Sequence, residues 1–394
     1  MSRKISVTIV CHQVDLSLGG SSFSLDITAN LLVEKGYKVR VITVNPENNK
    51  IYKNKPYEII SINDKSVPTR FGVLISTYRI MKKYESVTDI YHIWAPNLLP
   101  PAGYYRSRHD TPVVGRLNSY TLFCVNHDLM DGQCHNNCSV KEKFMHDDNF
   151  LLKRIAKIPS FFSRTKPEMG LSKMVDQMLA VSPAVKKVYM EAGVPEALIS
   201  VVPNFYNPSF ADGVTSSKKS DTLRALYVGR LKRSKGVGTL LRAIKQTSEV
   251  TATIIGPGPK KEDLELLRDE LGIAERVRFK GLVDHGKLSD YYCASDVFVQ
   301  PARWPEPFSR TLLESMQCQT PAIVSSVGGS SWAVGDAGIS FSPGRPAELA
   351  SIISSLYRNT NRIRELERKC DEQIEKFAPC NVISRLEKVY DQYA

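Results

Sequence analysis

The sequence has no apolar run that approaches the roughly 18 residues needed to span a bilayer, so we expect no transmembrane helix. It also has no Asp-x-Asp pair of the kind that holds a metal ion. The nearest acidic group, the His-Asp-Asp of residues 146–148, is interpreted as solvated surface, and no required metal is expected. A signal peptide is not expected either, because apolar residues alternate from Ile5 to Ile9, which is the period of a buried strand. The expected location is cytoplasmic.

The composition is typical of a soluble globular protein, with 42% hydrophobic and 24% charged residues in a chain of 394. This length suggests two or three domains. The formal net charge of +12 favours anionic partners such as phosphates, anionic lipid headgroups or nucleic acid. Charge alone does not choose among these partners.

The eight cysteines are scattered, except for a local group in the first half of the chain. Cys124, Cys134 and Cys138 lie close together in the sequence and have two histidines, His127 and His135, nearby. Such a group can form a structural zinc site, although its spacing is not that of a standard zinc finger. A disulfide and plain free thiols are the alternatives.

Strand and helix patterns alternate along nearly the whole chain, which predicts parallel sheets and an α/β fold. The pattern restarts near residue 205, after which a polar stretch at 212–221 resembles a linker. We therefore predict two doubly wound, Rossmann-like domains at 1–205 and 206–379 that face a central cleft. A C-terminal helix at about 380–394 is expected to pack back on the first domain. Parallel sheets bind ligands beyond the carboxyl ends of their strands, so the active site is expected there.

Two carboxylates with seven residues between them lie on either side of a predicted loop-to-helix junction. Glu306 falls on a loop between two prolines, and Glu314 falls inside the following helix, whose start is expected near Phe308. The free backbone amides at about Phe308 and Ser309 then offer a site for a phosphate between the two acids. The alternative is a surface helix with two solvated acids.

A basic loop and several glycine turns follow other predicted strands. In the loop at 229–236, Arg230 and Lys235 suit a diphosphate. Glycine turns at Gly20 and Gly256 allow a ligand to approach the backbone closely. Taken one at a time, these features are equally compatible with ordinary solvated loops and tight turns.

Together these motifs resemble the family-four group of retaining GT-B glycosyltransferases over nearly the full length. The resemblance depends on the order and spacing of short motifs, namely those at 19–20, 89–92, 181–182, 202–204, 229–236, 255–258, 279–281, 295–299, 306–314 and 327–329. It implies transfer of a sugar from a nucleotide-diphosphate sugar to a hydroxyl, with retained anomeric configuration and no required cofactor.

The resemblance also implies roles for individual residues. Arg230 and Lys235 correspond to the residues that hold the donor diphosphate, and Glu306 to the one that contacts the donor sugar. The amides at Phe308 and Ser309 would hold phosphate, and Glu314 would take the ribose hydroxyls. Three positions depart from the family pattern. Asn118 replaces a common histidine and keeps the ability to donate a hydrogen bond, Gln319 replaces a glycine, and Ser331 lies where Pro-Glu is expected; weak or altered activity is compatible with these changes.

The acceptor is expected to be a glycan or a lipid-linked glycan, as in cell-surface polysaccharide or glycoconjugate synthesis. Apolar and basic residues mix at 151–166, which suits a segment on an anionic membrane surface, although a helix packed on the first domain has the same pattern. Two other functions remain open. They are a sugar-nucleotide epimerase or hydrolase on the same fold, and a non-catalytic binder of anionic ligands; nucleic acid is not expected as a partner because no binding motif is recognised.

Overall fold

The computed structural model describes residues 4–14, 20–44, 55–62, 70–122, 166–211 and 221–393. The chain divides into two compact units. The first contains the described residues up to Asn204 together with those from Cys380 onward, and the second contains Phe205–Pro379. Among the helices described, none is long and apolar enough to cross a membrane.

The first unit is built on a seven-stranded parallel sheet with the order β3-β2-β1-β4-β5-β6-β7. Its strands are β1 (Ser6–Cys11), β2 (Lys38–Thr43), β3 (Glu58–Ser61), β4 (Ile90–Ile93), β5 (Val113–Leu117), β6 (Gln177–Ala180) and β7 (Ile199–Val201). Its helices are α1 (Gly20–Glu34), α2 (Arg70–Tyr84), α3 (Leu99–Arg106), α4 (Lys166–Ser172) and α5 (Pro183–Glu191).

The second unit is built on a six-stranded parallel sheet with the order β10-β9-β8-β11-β12-β13. Its strands are β8 (Leu223–Val228), β9 (Val250–Ile255), β10 (Val277–Gly281), β11 (Val297–Gln300), β12 (Ala322–Ser325) and β13 (Gly338–Phe341). Its helices are α6 (Val237–Lys245), α7 (Lys261–Glu270), α8 (Leu288–Cys293), α9 (Arg310–Gln317), α10 (Ser330–Val334), α11 (Pro346–Arg358) and α12 (Thr360–Glu375). Helix α13 (Pro379–Tyr390) follows, nearly all of it within the first unit.

The prediction of two doubly wound Rossmann-like domains is confirmed by these sheets, because every strand pairing described is parallel and helices lie between most consecutive strands of each sheet. The apolar runs form strands because both faces of each sheet are covered by helices, as parallel sheets require. Helix α6 shows the matching helical pattern, with Val237, Leu240, Leu241 and Ile244 buried on one face. The predicted cleft between the domains stays a prediction.

Helix α13 packs on the first unit through a buried polar contact. The Tyr390 hydroxyl lies 2.7 Å from Nδ1 of His92 on β4. On the neighbouring strand β5, the Arg116 guanidinium lies 4.9 Å from the Trp94 ring and donates to the carbonyl of Pro203 at 3.1 Å. Burial, and then the charge of Arg116, lowers the pKa of His92 to about 3. His92 is therefore neutral in the folded protein across the physiological range.

The neutral state of His92 predicts a loss of stability in acid. An unfolded histidine binds a proton below its ordinary pKa of about 6.5, whereas folded His92 does so only near pH 3. The contribution of neutral His92 to the free energy of unfolding is therefore fully present above about pH 6.5. Below that value the free energy of unfolding falls by about 1.4 kcal/mol for each pH unit, down to about pH 3. Urea unfolding at pH 7.5 and 5.5 should show a loss about 1.4 kcal/mol smaller in His92→Asn than in the wild type. Equal losses in the two proteins would contradict this account.

Candidate active site

The basic loop that follows β8 is fixed by backbone hydrogen bonds to the neighbouring strand end. The Gly229 amide donates to the carbonyl of Ile255 at 2.9 Å, and the Leu231 amide donates to the carbonyl of Pro257 at 2.9 Å. A Cβ atom added to Gly256 would lie 2.1 Å from the Gly229 carbonyl oxygen. Gly256 was predicted to bind the donor. The close approach of the Gly229 backbone leaves no room for a side chain at this position, so packing also favours glycine there.

The loop that follows β11 packs directly against the loop that follows β8. The Arg303 amide donates to the Ser234 carbonyl at 2.8 Å. A Cβ atom added to Gly236 would lie 1.8 Å from the Pro301 carbonyl oxygen. Strands β8 and β11 are neighbours in the sheet although they are not consecutive in the chain, so this is the topological switch point at which doubly wound sheets bind ligands.

Lys235 and Glu306 meet at this switch point. The Lys235 ammonium forms an ion pair with Oε2 of Glu306, and the same oxygen accepts a hydrogen bond of 2.9 Å from the Trp304 indole. The ammonium also lies 4.9 Å from the centre of the Trp304 ring, in cation–π contact. The Glu306 side chain is only 11% exposed. Two of the predicted site residues are therefore brought into direct contact, with one carboxylate oxygen taking both donors.

Arg230 lies in the same loop but does not join this contact. Its side chain is exposed, and among the described residues its guanidinium has no hydrogen bond or ion pair. Its backbone is fixed, because the buried Tyr227 hydroxyl donates to the Arg230 carbonyl at 3.0 Å. Burial, and then the charge of Glu306, raises the pKa of Tyr227, which keeps this hydroxyl protonated. Arg230 is thus a solvated cation in the same loop as Lys235.

Glu314 lies one turn inside α9 and is held on both of its oxygens. Oε1 lies 3.0 Å from Nε2 of His285, and Oε2 accepts a hydrogen bond of 3.1 Å from the buried Tyr292 hydroxyl. Burial, and then the nearby Glu314 charge, raises the pKa of Tyr292 well above its ordinary value. Burial lowers the pKa of Arg310, and the charge of Glu314 acts in the opposite direction.

The start of α9 differs from the prediction. The helix begins at Arg310 and has Ser309 as its N-cap residue, so its first amides belong to Arg310, Thr311 and Leu312 instead of Phe308 and Ser309. The Phe308 side chain is buried, with its ring 5.3 Å from that of Phe377 and 6.0 Å from that of Trp332. Because its ring packs against these two rings, Phe308 lies before the helix and not in its first turn. The predicted apolar face of α9 is present, since Leu312, Leu313 and Met316 are buried.

Two predicted site residues, Gly20 and Asn118, belong to the first unit. Gly20 is exposed at the start of α1. Asn118 follows β5, and its amide nitrogen lies 3.1 Å from the Trp94 carbonyl and 3.3 Å from the hydroxyl of Ser21, the residue next to Gly20. These two residues therefore lie together at the carboxyl end of the first sheet. The predicted cysteine group (Cys124, Cys134 and Cys138) and most of the segment at 151–166 lie outside the described residues.

Two family models match consecutive parts of the chain. The model for glycosyltransferase family 4 matches residues 18–210, and the model for glycosyl transferases group 1 matches residues 214–377. The chain belongs to the GT-B glycosyltransferases of family-four type.

The chain spans about half of the length of the curated relatives that it matches. An uncharacterized glycosyltransferase of Methanocaldococcus jannaschii is 33% identical over 168 residues, which is 39% of this chain and 43% of the relative. A D-inositol 3-phosphate glycosyltransferase of Catenulispora acidiphila is 30% identical over 185 residues, covering 43% of this chain and 44% of that one. A lipopolysaccharide core biosynthesis glycosyltransferase of Rhizobium meliloti is 29% identical over 192 residues, covering 48% and 52%.

Solved structures match the chain over nearly its whole length. Sucrose-phosphate synthase from Thermosynechococcus elongatus has a TM-score of 0.74 at 20% identity and covers 99% of both chains. Anabaena HepE in complex with UDP and glucose has a TM-score of 0.72 at 18% identity, covering 98% of this chain and 100% of the other. At these identities the likeness shows the shared GT-B fold.

Two of the departures from the family pattern, Gln319 and Ser331, have defined contacts in the structure. Gln319 has a φ of 49°, the left-handed region that favours glycine, and its amide donates to Asp371 of α12 at 2.9 Å. It follows the C-terminal end of α9, about 12 Å along the helix from the Arg310 end. The Ser331 hydroxyl accepts a hydrogen bond of 3.0 Å from Ser340. Gln319 thus lies beyond the C-terminal end of α9, the end opposite Arg310.

Sequence reasoning missed three residues that contact the two acids, namely Trp304, His285 and Tyr292. Trp304 has a sequence signal, since it lies two residues before Glu306 and next to Pro305. His285 and Tyr292 lie 29 and 22 residues before Glu314. Their link to Glu314 depends on tertiary packing, which sequence spacing does not reveal.

The close approach at Gly236 can be tested against a matched glycine. Gly236 and Gly344 have φ values of 70° and 71°, but a Cβ atom would meet the Pro301 oxygen at 1.8 Å in the first case and only Arg303 Nε at 3.8 Å in the second. Gly344→Ala should lose about 1–2 kcal/mol of unfolding free energy from its left-handed conformation. Gly236→Ala should lose about 2 kcal/mol more, because the two loops must separate. Equal losses in urea unfolding would contradict the packing described here.

Proposed function

We propose that the chain transfers a sugar from a nucleotide-diphosphate sugar to a hydroxyl of a glycan or lipid-linked acceptor, with retained anomeric configuration and without a required metal. The observation that carries this proposal is the meeting of Lys235 and Glu306 at the switch point between β8 and β11. A cation and a carboxylate there can address the two ends of the bond that breaks, the diphosphate and the sugar. The HepE complexes with UDP and with UDP-glucose support this donor class.

The difficult step is departure of the nucleoside diphosphate from the anomeric carbon. The bond from this carbon to the phosphate oxygen breaks, a bond to the acceptor oxygen forms, and the acceptor proton passes to the departing phosphate. Negative charge then accumulates on the diphosphate. Arg230, Lys235 and the first amides of α9 would stabilise that charge, and donors positioned before the reaction act most strongly.

The carboxylates have separate parts in this proposal. Glu306 offers Oε1 to a sugar hydroxyl, because its Oε2 already accepts from Lys235 and Trp304. Glu314 would accept from the ribose hydroxyls. Gly20 keeps its expected role as part of a turn that a ligand can approach closely. Asn118 would donate to a sugar by exchanging its hydrogen bond to the Ser21 hydroxyl.

The curated relatives support a glycan or lipid-linked acceptor. Their names include D-inositol 3-phosphate glycosyltransferase, lipopolysaccharide core biosynthesis glycosyltransferase and phosphatidylinositol N-acetylglucosaminyltransferase. We propose a role in cell-surface polysaccharide or glycoconjugate synthesis, with the enzyme in the cytoplasm and on the inner membrane face.

Association with the membrane is attributed to the basic and apolar segment at 151–166. If this segment binds anionic headgroups, the protein should sediment with phosphatidylglycerol-containing vesicles at low salt and be released as salt rises. Replacing Lys153, Arg154 and Lys157 by Gln should abolish sedimentation, whereas Lys245→Gln on α6 should leave it unchanged. Failure of the wild type to bind at low salt would contradict membrane association.

The activity itself is tested by a panel of sugar nucleotides. Thermal stabilisation identifies the donor, and turnover of that donor is then measured with membrane lipid extracts and with chelator present. The anomeric configuration of the product is read from its proton NMR spectrum. Consumption of the donor without any acceptor would indicate an epimerase or hydrolase, and inverted product would contradict retention.

Arg230→Ala should reduce turnover by roughly a hundredfold to a thousandfold, because one preorganised donor to the leaving group is lost. Lys245→Ala is the matched control, since Lys245 is an exposed cation at the opposite end of α6 from Lys235. It should retain wild-type turnover. Wild-type turnover in a folded Arg230→Ala protein would contradict the role given to Arg230.

A further inference from the structure

Glu314 differs from Glu306 in how its oxygens are used. At Glu306, Lys235 and Trp304 both contact Oε2, whereas at Glu314 each oxygen has one donor, His285 on Oε1 and Tyr292 on Oε2. An ionised carboxylate only accepts, so Nε2 of His285 carries the hydrogen in this contact. Two donors on opposite oxygens fix the plane of the Glu314 carboxylate.

This arrangement leaves a defined set of acceptor positions. A carboxylate has about four lone-pair sites, and the two donors occupy one on each oxygen. Among the residues that the structure describes, no other donor to either oxygen is found, so one site on each oxygen is counted as open to a ligand. Two hydroxyls on adjacent carbons can use this pair of sites together, and a ligand that lacks one of the hydroxyls can use only one of them.

His285 is the adjustable partner of the two. Tyr292 is fully buried on α8, whereas the His285 side chain is 50% exposed on the turn that follows β10. That turn is itself held, because Asp284 accepts a hydrogen bond of 3.1 Å from the Gly286 amide. The Phe210 ring lies 5.2 Å from the His285 ring and 5.9 Å from the Tyr292 ring, so it packs against both donors. The imidazole is therefore placed by its surroundings and is still accessible to substitution.

We infer that His285 is a positioning residue that aligns Glu314 for the 2′,3′-diol of a ribonucleotide, and so sets the preference of the enzyme for ribonucleoside over 2′-deoxyribonucleoside diphosphates. This inference rests on the proposed function, because it concerns the nucleotide part of the proposed donor. It assigns no contact between His285 and the reacting atoms.

The test compares dissociation constants for UDP, GDP and ADP with those for dUDP, dGDP and dADP, measured by calorimetry on the full chain. For the base that binds best, the wild type should prefer the ribonucleotide by about tenfold, the value of one hydrogen bond to a charged group. In His285→Ala the preference should fall to about threefold or less. His285→Gln should restore most of it, because the Gln amide places a donor near the position of Nε2. If His285→Ala does not fold, His285→Asn replaces it, since its shorter amide does not reach Glu314.

Lys287→Ala provides the matched control, because Lys287 is exposed on the same turn. It should keep the wild-type preference. An unchanged preference in His285→Ala would overturn the inference and leave the proposed function intact. Absence of binding of every nucleoside diphosphate to the wild type would overturn the proposed function together with the inference. If His285 had only a structural role, His285→Ala would weaken the binding of both nucleotides equally. The ratio of their dissociation constants would then be unchanged.

Discussion

The ion pair between Lys235 and Glu306 is the contact on which the arrangement of strand ends in the second unit depends. It joins two loops whose residues are 71 positions apart in the chain. Only the sheet order makes this possible, because β8 and β11 are neighbours at the point where the winding direction reverses. The pair is partly buried, so each charge needs the other, and the loops that carry them are held by backbone packing.

The two acids of the 306–314 motif use their surroundings in different ways. Glu306 accepts from a lysine and an indole on a single oxygen, and its other oxygen has no donor within the part of the chain that the structure describes. Glu314 is held symmetrically by a histidine and a tyrosine. Glutamate is therefore an ion-pair partner at position 306 and an oriented hydrogen-bond acceptor at position 314. The difference comes entirely from neighbours that the motif does not contain.

Most of the fold follows from the sequence, because a strand covered on both faces must be apolar and is bounded by polar turns. The alternation of strands and helices and its restart near residue 205 were predictable for this reason. The start of α9 was not predictable, since Phe308 satisfies helical periodicity and only the rings of Trp332 and Phe377 draw it into the core.

The candidate site was predictable in part. Lys235 and Glu306 follow strands that adjoin in any doubly wound sheet, so their proximity follows from topology. The left-handed conformation of Gln319 explains why glycine suits that position, but this conformation becomes visible only in the structure. The donors to Glu314 depend on how a turn and a short helix pack beside α9, which spacing along the chain does not encode.

The path of the chain has a consequence for biosynthesis. Helix α13, which supplies Tyr390 to the buried His92, is made on the ribosome only after the whole second unit. The described residues of the second unit come from one stretch of the chain, Phe205–Pro379, that can complete its core as soon as it emerges, whereas the first unit must wait for α13. During synthesis the order of completion is therefore the reverse of the order of translation, and the exposed face of the first sheet is the surface that a chaperone would meet.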